Sequence, residues 1–178
     1  SWLASRHPGL PRVLLGHSMG SFLAREYALR DPTGLDALVL CGTGWYPNAL
    51  TMPALTLARI QKKLGRDREQ SKLLDKLAFS RHNKPFKKDG ITPFDWLSRD
   101  GEEVRKYVED PYCGFVFTAG GFYDLFSGLK ALAHLPRLKA LPASLPIYLI
   151  AGDKDPVGAF GAGVKTVAQQ YRDAGVQD

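Results

Sequence analysis

With 178 residues, 44% of them hydrophobic, the chain can bury a sizeable core as one domain. Its formal net charge of +6, from 24 basic and 18 acidic residues, comes without a nucleic-acid-binding motif, so nucleic acid is not an expected partner. No apolar run approaches the ~20 residues of a membrane span, and Cys41 and Cys113 lie far apart and match no metal-ligand spacing.

The chain opens on a loop punctuated by Pro8 and Pro11. Because it begins at Ser1 and reaches its central motif soon after, it reads as a piece lacking N- and C-terminal parts. Val13-Leu14-Leu15 is a short apolar run of the kind buried in a parallel sheet. Gly16-His17-Ser18-Met19-Gly20 follows, and then Ser21 to Arg30, with Phe22, Leu23, Ala24, Tyr27 and Ala28 spaced for one helical face. Asp31-Pro32-Thr33-Gly34 is a stop-and-turn signal. Ala37-Leu38-Val39-Leu40-Cys41 is a second buried strand, with Cys41 a buried free thiol, closed by Gly42-Thr43-Gly44. Together these segments make a βαβ unit with a parallel sheet.

From about Asn48 to Leu135 the periodicity is mostly helical, with no convincing strand. Leu55, Leu57, Ile60 and Leu64 form one stripe, and Leu73, Leu74, Leu77 and Ala78 another. Asn83 to Pro93 reads as a loop, and Ser98 or Asp100 as the cap of a helix carrying Val104, Tyr107 and Val108. Tyr112 to Leu132 is strongly apolar and aromatic. A strand returns at Leu145 to Ala151, followed by Gly152-Asp153-Lys154-Asp155-Pro156-Val157-Gly158 and a last helix from about Ala162 to Ala174. A helical insertion of this length, set between sheet strands, is too long for a plain loop and reads as a lid.

Strand, tight turn and helix around Ser18 describe a serine held on a strained turn with its Oγ exposed and the next amide, that of Met19, aimed at a developing oxyanion. A glycine-rich turn with an ordinary surface serine would show the same five residues, but not the same flanking elements. The glycines Gly16 and Gly20 are expected to let helix and strand approach without a Cβ clash. A serine hydroxyl needs a base, and the base needs an orienting carboxylate. Asp153 and Asp155 both follow the returning strand. Asp155 is the better candidate, because Gly152-x-x-Asp155 lets the turn leave the strand first, with Asp153 then a turn former. The four histidines, His7, His17, His82 and His134, all precede Asp155. His17 is expected to pack or hydrogen-bond around the oxyanion site, and His82 and His134 to be surface or capping residues. The base and the second oxyanion donor are therefore expected from outside this stretch.

Gly16-His17-Ser18-Met19-Gly20, Trp96-Leu97-Ser98-Arg99-Asp100 and the Gly152 to Gly158 segment together resemble the serine-aminopeptidase-type α/β-hydrolases, more narrowly the lysophospholipase and monoacylglycerol-lipase-like members. The resemblance implies an α/β-hydrolase fold, with core segments at 1–46 and 138–178 and a helical cap over 47–137. It implies Ser18 as nucleophile, Met19 as oxyanion donor and Asp155 as triad acid, with no cofactor and no metal. The implied activity is cleavage of carboxylic esters, foremost of single-acyl-chain lipids. The alternatives are a non-catalytic lipid- or partner-binding module and a peptidase or amidase of the same fold. The aromatic residues Trp45, Trp96 and Phe115 to Phe126 would suit an acyl chain or serve as lid core.

The positive surplus is concentrated between Arg59 and Lys88. It reads as a solvated helical face, and secondarily as contact with an anionic phospholipid surface. A cytoplasmic location, peripheral to a membrane, fits the sparse cysteines. Oligomeric state is left open.

Overall fold

The computed structural model describes residues 2–86 and 92–177, so Lys87 and Lys88 of the basic run, and part of the expected Asn83 to Pro93 loop, lie outside the described residues. The chain divides into two compact units, Ser1–Tyr46 with Gly128–Asp178, and Pro47–Ser127.

The first unit is built on a parallel three-stranded sheet, β1 (Val13–His17), β2 (Ala37–Cys41) and β3 (Ile147–Ile150), in that order. Its register sets Leu14 beside Leu38 and His17 beside Cys41, and Leu40 beside Leu149. Leu38 and Leu40 are completely buried. Helix α2 (Met19–Arg30) covers that face through Ala24 and Ala28, and α7 (Ala162–Asp173) through Val167 and Tyr171. The 3-10 turn Leu135–Ala140 adds Leu138. The alternate residues Val13, Leu15, Tyr148 and Ile150 point to the other face and are exposed, as the period of two in a strand requires. A groove of about 560 Å3 between β3 and α7 is lined by Ile147, Tyr148, Val164 and Ala168 among others, and includes neither Ser18 nor Asp155. The expected opening loop contains a short helix, α1 (Trp2–Arg6).

One side chain of the 3-10 turn holds it to α2. Arg137 grips Glu26 in a two-pronged ion pair, Nη1 to Oε2 at 2.9 Å and Nη2 to Oε1 at 2.9 Å. Arg30 adds a bond to Glu26 Oε1 at 2.8 Å. The Arg137 hydrogen bond, reinforced by Arg30, holds the Glu26 carboxyl below its ordinary range against the opposing effect of partial burial. Glu26→Gln is expected to lower stability by about 1 kcal/mol at neutral pH. Because the folded-state value is depressed, that stability is present above the ordinary carboxylate range and lost as pH falls through the folded value. Denaturant melts of both chains should therefore converge at acid pH; a constant gap would overturn the assignment.

The second unit is helical, as the periodicity predicts. Helices α3 (Asn48–Lys63), α4 (Lys72–Phe79), α5 (Gly101–Glu109) and α6 (Ala119–Leu132) follow one another, and the junction at Gly128 falls within α6 rather than after residue 137. Ser71 caps α4 by accepting from the Leu74 amide, and Asp100 caps α5 by accepting from that of Glu102. Leu55, Leu74, Val104 and Phe122 are buried. Phe122 stacks on Phe126 at 5.8 Å and meets Phe117 at 5.6 Å. The aromatic run thus divides: Phe122 and Phe126 are core, whereas Tyr112 and Phe115 are exposed. Trp45 packs against the core of the first unit. Of the basic run, Arg59, Lys62, Lys63, Arg66, Lys72 and Lys76 are all exposed. Among the described residues no helix is long and apolar enough to cross a membrane.

Candidate active site

The ends of β1, β2 and β3 meet in three loops. The first carries Ser18, which takes φ 52° and ψ −122°, outside the regions open to residues with a Cβ. The conformation is held from both sides. The Ser18 amide donates to Cys41 O at 2.9 Å, and the Ser18 carbonyl accepts from the Ser21 amide at 2.9 Å and from Ser21 Oγ at 2.6 Å. Ser21 is fully buried, so this latch is shielded from water. The Met19 amide lies in the first turn of α2, where backbone N–H groups have no acceptor within the helix and favour negative charge.

Gly16 behaves as the sequence suggests. A Cβ there would fall 2.4 Å from Gly20 O and 2.8 Å from the Ala24 Cβ, so the close return of α2 over β1 needs a glycine. Gly20 does not: a Cβ at that position meets nothing within 4 Å. The close approach is made by Gly16 against the Gly20 carbonyl, and the Gly20 Cβ position faces open space. His17 also departs from expectation. It is exposed, with its Cδ2 at the edge of the Gly42 position rather than packed. The thiol of Cys41 is free but half-buried rather than buried.

The second loop, Gly42-Thr43-Gly44, is where the groups converge. Gly42 takes φ 61° and donates its amide to Ile150 O at 2.8 Å. A Cβ on Gly42 would lie 3.4 Å from Asp155 Oδ2 and 3.8 Å from the Ser18 amide nitrogen. The Asp155 carboxylate and the Ser18 backbone therefore flank the same glycine.

In the third loop, the Asp155 amide closes the turn on Gly152 O at 3.2 Å, and Asp155 Oδ1 accepts from the Val157 amide at 2.8 Å. Asp153 is exposed within that turn. The second and third loops touch backbone to backbone: a Cβ on Gly44 would fall 2.3 Å from Val157 O, one on Gly158 3.1 Å from Thr43 O. Beyond them Ala159, Phe160 and Gly161 take φ of 49°, 56° and 86°, a left-handed run leading into α7.

Two side chains buttress this junction. Tyr46 donates its hydroxyl to Val157 O at 2.9 Å; burial, and then the negative charge of Asp155, push its pKa up to about 12. Arg25, buried on α2, donates Nη1 to Gly44 O at 2.8 Å. Arg25 Nε and Trp45 Nε1 are buried without a protein acceptor among the described residues, and both residues line a cavity of about 10 Å3, the size of about one water.

Residues 2–177 match the family described as Serine aminopeptidase, S33. The chain belongs to this family of α/β-hydrolases. It is 30% identical over 152 residues to a monoacylglycerol lipase of Mycolicibacterium smegmatis, covering 85% of this chain and 47% of that relative. Its structure is similar to that of a highly thermostable carboxyl esterase from Bacillus coagulans in complex with glycerol, with a TM-score of 0.89, 30% identity, and 98% of this chain and 56% of that one covered. A lipase in an open form gives a TM-score of 0.79 at 31% identity, with 97% and 56% covered. The chain thus spans about half the length of these relatives.

Within this family member, the fold sets the backbone of Ser18, the amide of Met19 and the carboxylate of Asp155 at adjoining strand ends. The sequence reading missed Gly42, Gly44 and Tyr46. Gly42 and Gly44 had a legible signal, a Gly-x-Gly immediately after a buried strand; Tyr46 had none, because its partner lies 111 positions along the chain.

Proposed function

We propose that the protein containing this chain is a serine hydrolase that cleaves carboxylic esters through an acyl-enzyme on Ser18. The observation that carries this reading is the strained Ser18 backbone, latched by Cys41 and Ser21, with Asp155 Oδ2 beside the same Gly42 that faces the Ser18 amide. Such strain persists only where the surroundings impose it, and it clusters at sites of chemistry.

In the proposed reaction a histidine oriented by Asp155 takes the proton of Ser18 Oγ as the oxygen attacks the ester carbonyl. The Met19 amide donates to the oxyanion. Collapse returns the proton to the departing alcohol, and water then attacks the acyl-enzyme with the same base assisting. A single-acyl-chain lipid ester is the proposed substrate class; relatives named as a monoacylglycerol lipase, a carboxyl esterase and a lipase support it. The exposed Arg59, Lys62 and Lys63 on α3 suit contact with the anionic headgroups of a membrane holding such a lipid.

The test is covalent labelling of the whole protein with a fluorophosphonate probe. Trypsin releases Val13 to Arg25 as one peptide containing Ser18 and Ser21, and fragmentation separates the two. Label on Ser18 supports the reading. No label, or label on another residue, overturns it.

A further inference from the structure

We infer that Tyr46 is a positioning residue that ties the carboxylate of Asp155 to the helix carrying Ser18. This rests on the reading of Ser18 and Asp155 given above.

The Val157 peptide units are held at both ends. The Val157 amide donates to Asp155 Oδ1 at 2.8 Å, and its carbonyl accepts from the Tyr46 hydroxyl at 2.9 Å. The hydroxyl thus anchors the residue that orients the carboxylate. The ring of Tyr46 meets Phe22 edge to face, with centroids 5.9 Å apart at 70°. Phe22 is buried one turn beyond Ser18 on α2. The backbone just before Tyr46 is pinned to the same helix, because Arg25 on α2 donates to Gly44 O. Both Phe22 and Arg25 belong to α2, so Tyr46 is set by the helix that sets Ser18, and hands that position to Asp155 through Val157.

A buried neutral phenol suits this work. Its high pKa keeps it a hydrogen-bond donor across the range in which an ester hydrolase operates. The other bonds of the acid loop, Asp155 amide to Gly152 O and Phe160 amide to Asp155 O, hold the main chain and leave the carboxylate rotation to Val157. A small rotation there changes how the base is aimed, and displacements of about 1 Å in such geometry cost up to ~100-fold in rate.

The experiment is a double-mutant cycle in the whole protein, reading kcat and KM on a soluble short-chain ester. Tyr46→Phe, which removes only the hydroxyl, is expected to lower kcat about tenfold with KM changed less than about twofold. Asp155→Asn is expected to lower kcat by about 10^4-fold. In the double variant, Tyr46→Phe is expected to add no further loss, because it acts only through that carboxylate. Should Tyr46→Phe fail to fold, Phe22→Leu, which keeps the hydroxyl and removes the ring it leans on, takes its place with the same readings. An unchanged kcat, a rise in KM alone, or the same fractional loss with and without Asp155→Asn would overturn the inference. Full activity of Asp155→Asn would instead overturn the reading of Asp155, and is told apart by that single variant.

Discussion

Replacing Ser18 with alanine is expected to lower kcat of the whole protein for ester hydrolysis by about 10^4-fold or more, with KM little changed. On the proposed mechanism the loss follows from removing the oxygen that attacks the ester carbonyl, while the Met19 amide remains. Stability is a separate matter. Alanine carries a Cβ and inherits the strained φ 52°, ψ −122°, so Ser18→Ala should leave the unfolding free energy nearly unchanged. Glycine is free of that strain. Ser18→Gly is expected to be equally inactive but more stable by about 1 kcal/mol, the relief of strain exceeding the extra freedom of the unfolded chain. Steady-state kinetics and denaturant melts of wild type and both variants check this. Residual turnover near wild type in Ser18→Ala would remove Ser18 as nucleophile. A Ser18→Gly variant less stable than wild type would show that the turn is not strained.

The second large effect is structural. Gly16→Ala is expected to destabilise the chain by about 3 kcal/mol. Its Cβ would stand 2.4 Å from the Gly20 carbonyl oxygen and 2.8 Å from the Ala24 Cβ. Neither is the end of a flexible side chain, so α2 itself would have to move off β1. That movement loosens Ala24 and Ala28 from Leu38 and Leu40 in the core. It also pulls Ser18 away from Cys41 O, to which its amide is bonded. The same substitution at the other end of the motif has the opposite sign. Gly20→Ala meets no neighbour and replaces a poor helix former within α2, so it should stabilise by up to about 1 kcal/mol. Melting both variants side by side is the check. Equal destabilisation at the two positions would mean that the motif glycines serve some purpose other than this one close approach.

That asymmetry shows how far local pattern reaches. The flanks of Ser18, a run of β-prone residues before it and a helical stripe after it, were enough to locate β1, the elbow and α2. The Asn48 to Leu132 helices were legible from periodicity, and the α5 cap was legible as Ser98 or Asp100, of which Asp100 is the cap. What escaped was longer in range. The short helix Trp2–Arg6 carries no buried residue, so no amphipathic stripe announced it. The two glycines of Gly-x-Ser-x-Gly look equivalent as letters, yet only one faces the opposing element. The aromatic residues from Phe115 to Phe126 read as one cluster, although their burial differs residue by residue.

Local sequence determined the three strands, the helices from α2 onward and the tight turn at Ser18, because these depend on neighbours within a few positions and on residue types with narrow conformational preferences. Only the tertiary structure decided that Gly42 stands between the carboxylate and the serine backbone, that Gly44 lies against Val157, and that Tyr46 reaches across 111 positions to hold it. Those contacts arise from parallel strand register, backbone-on-backbone packing and one long-range side-chain hydrogen bond, which bring together residues with no periodic relation in the chain.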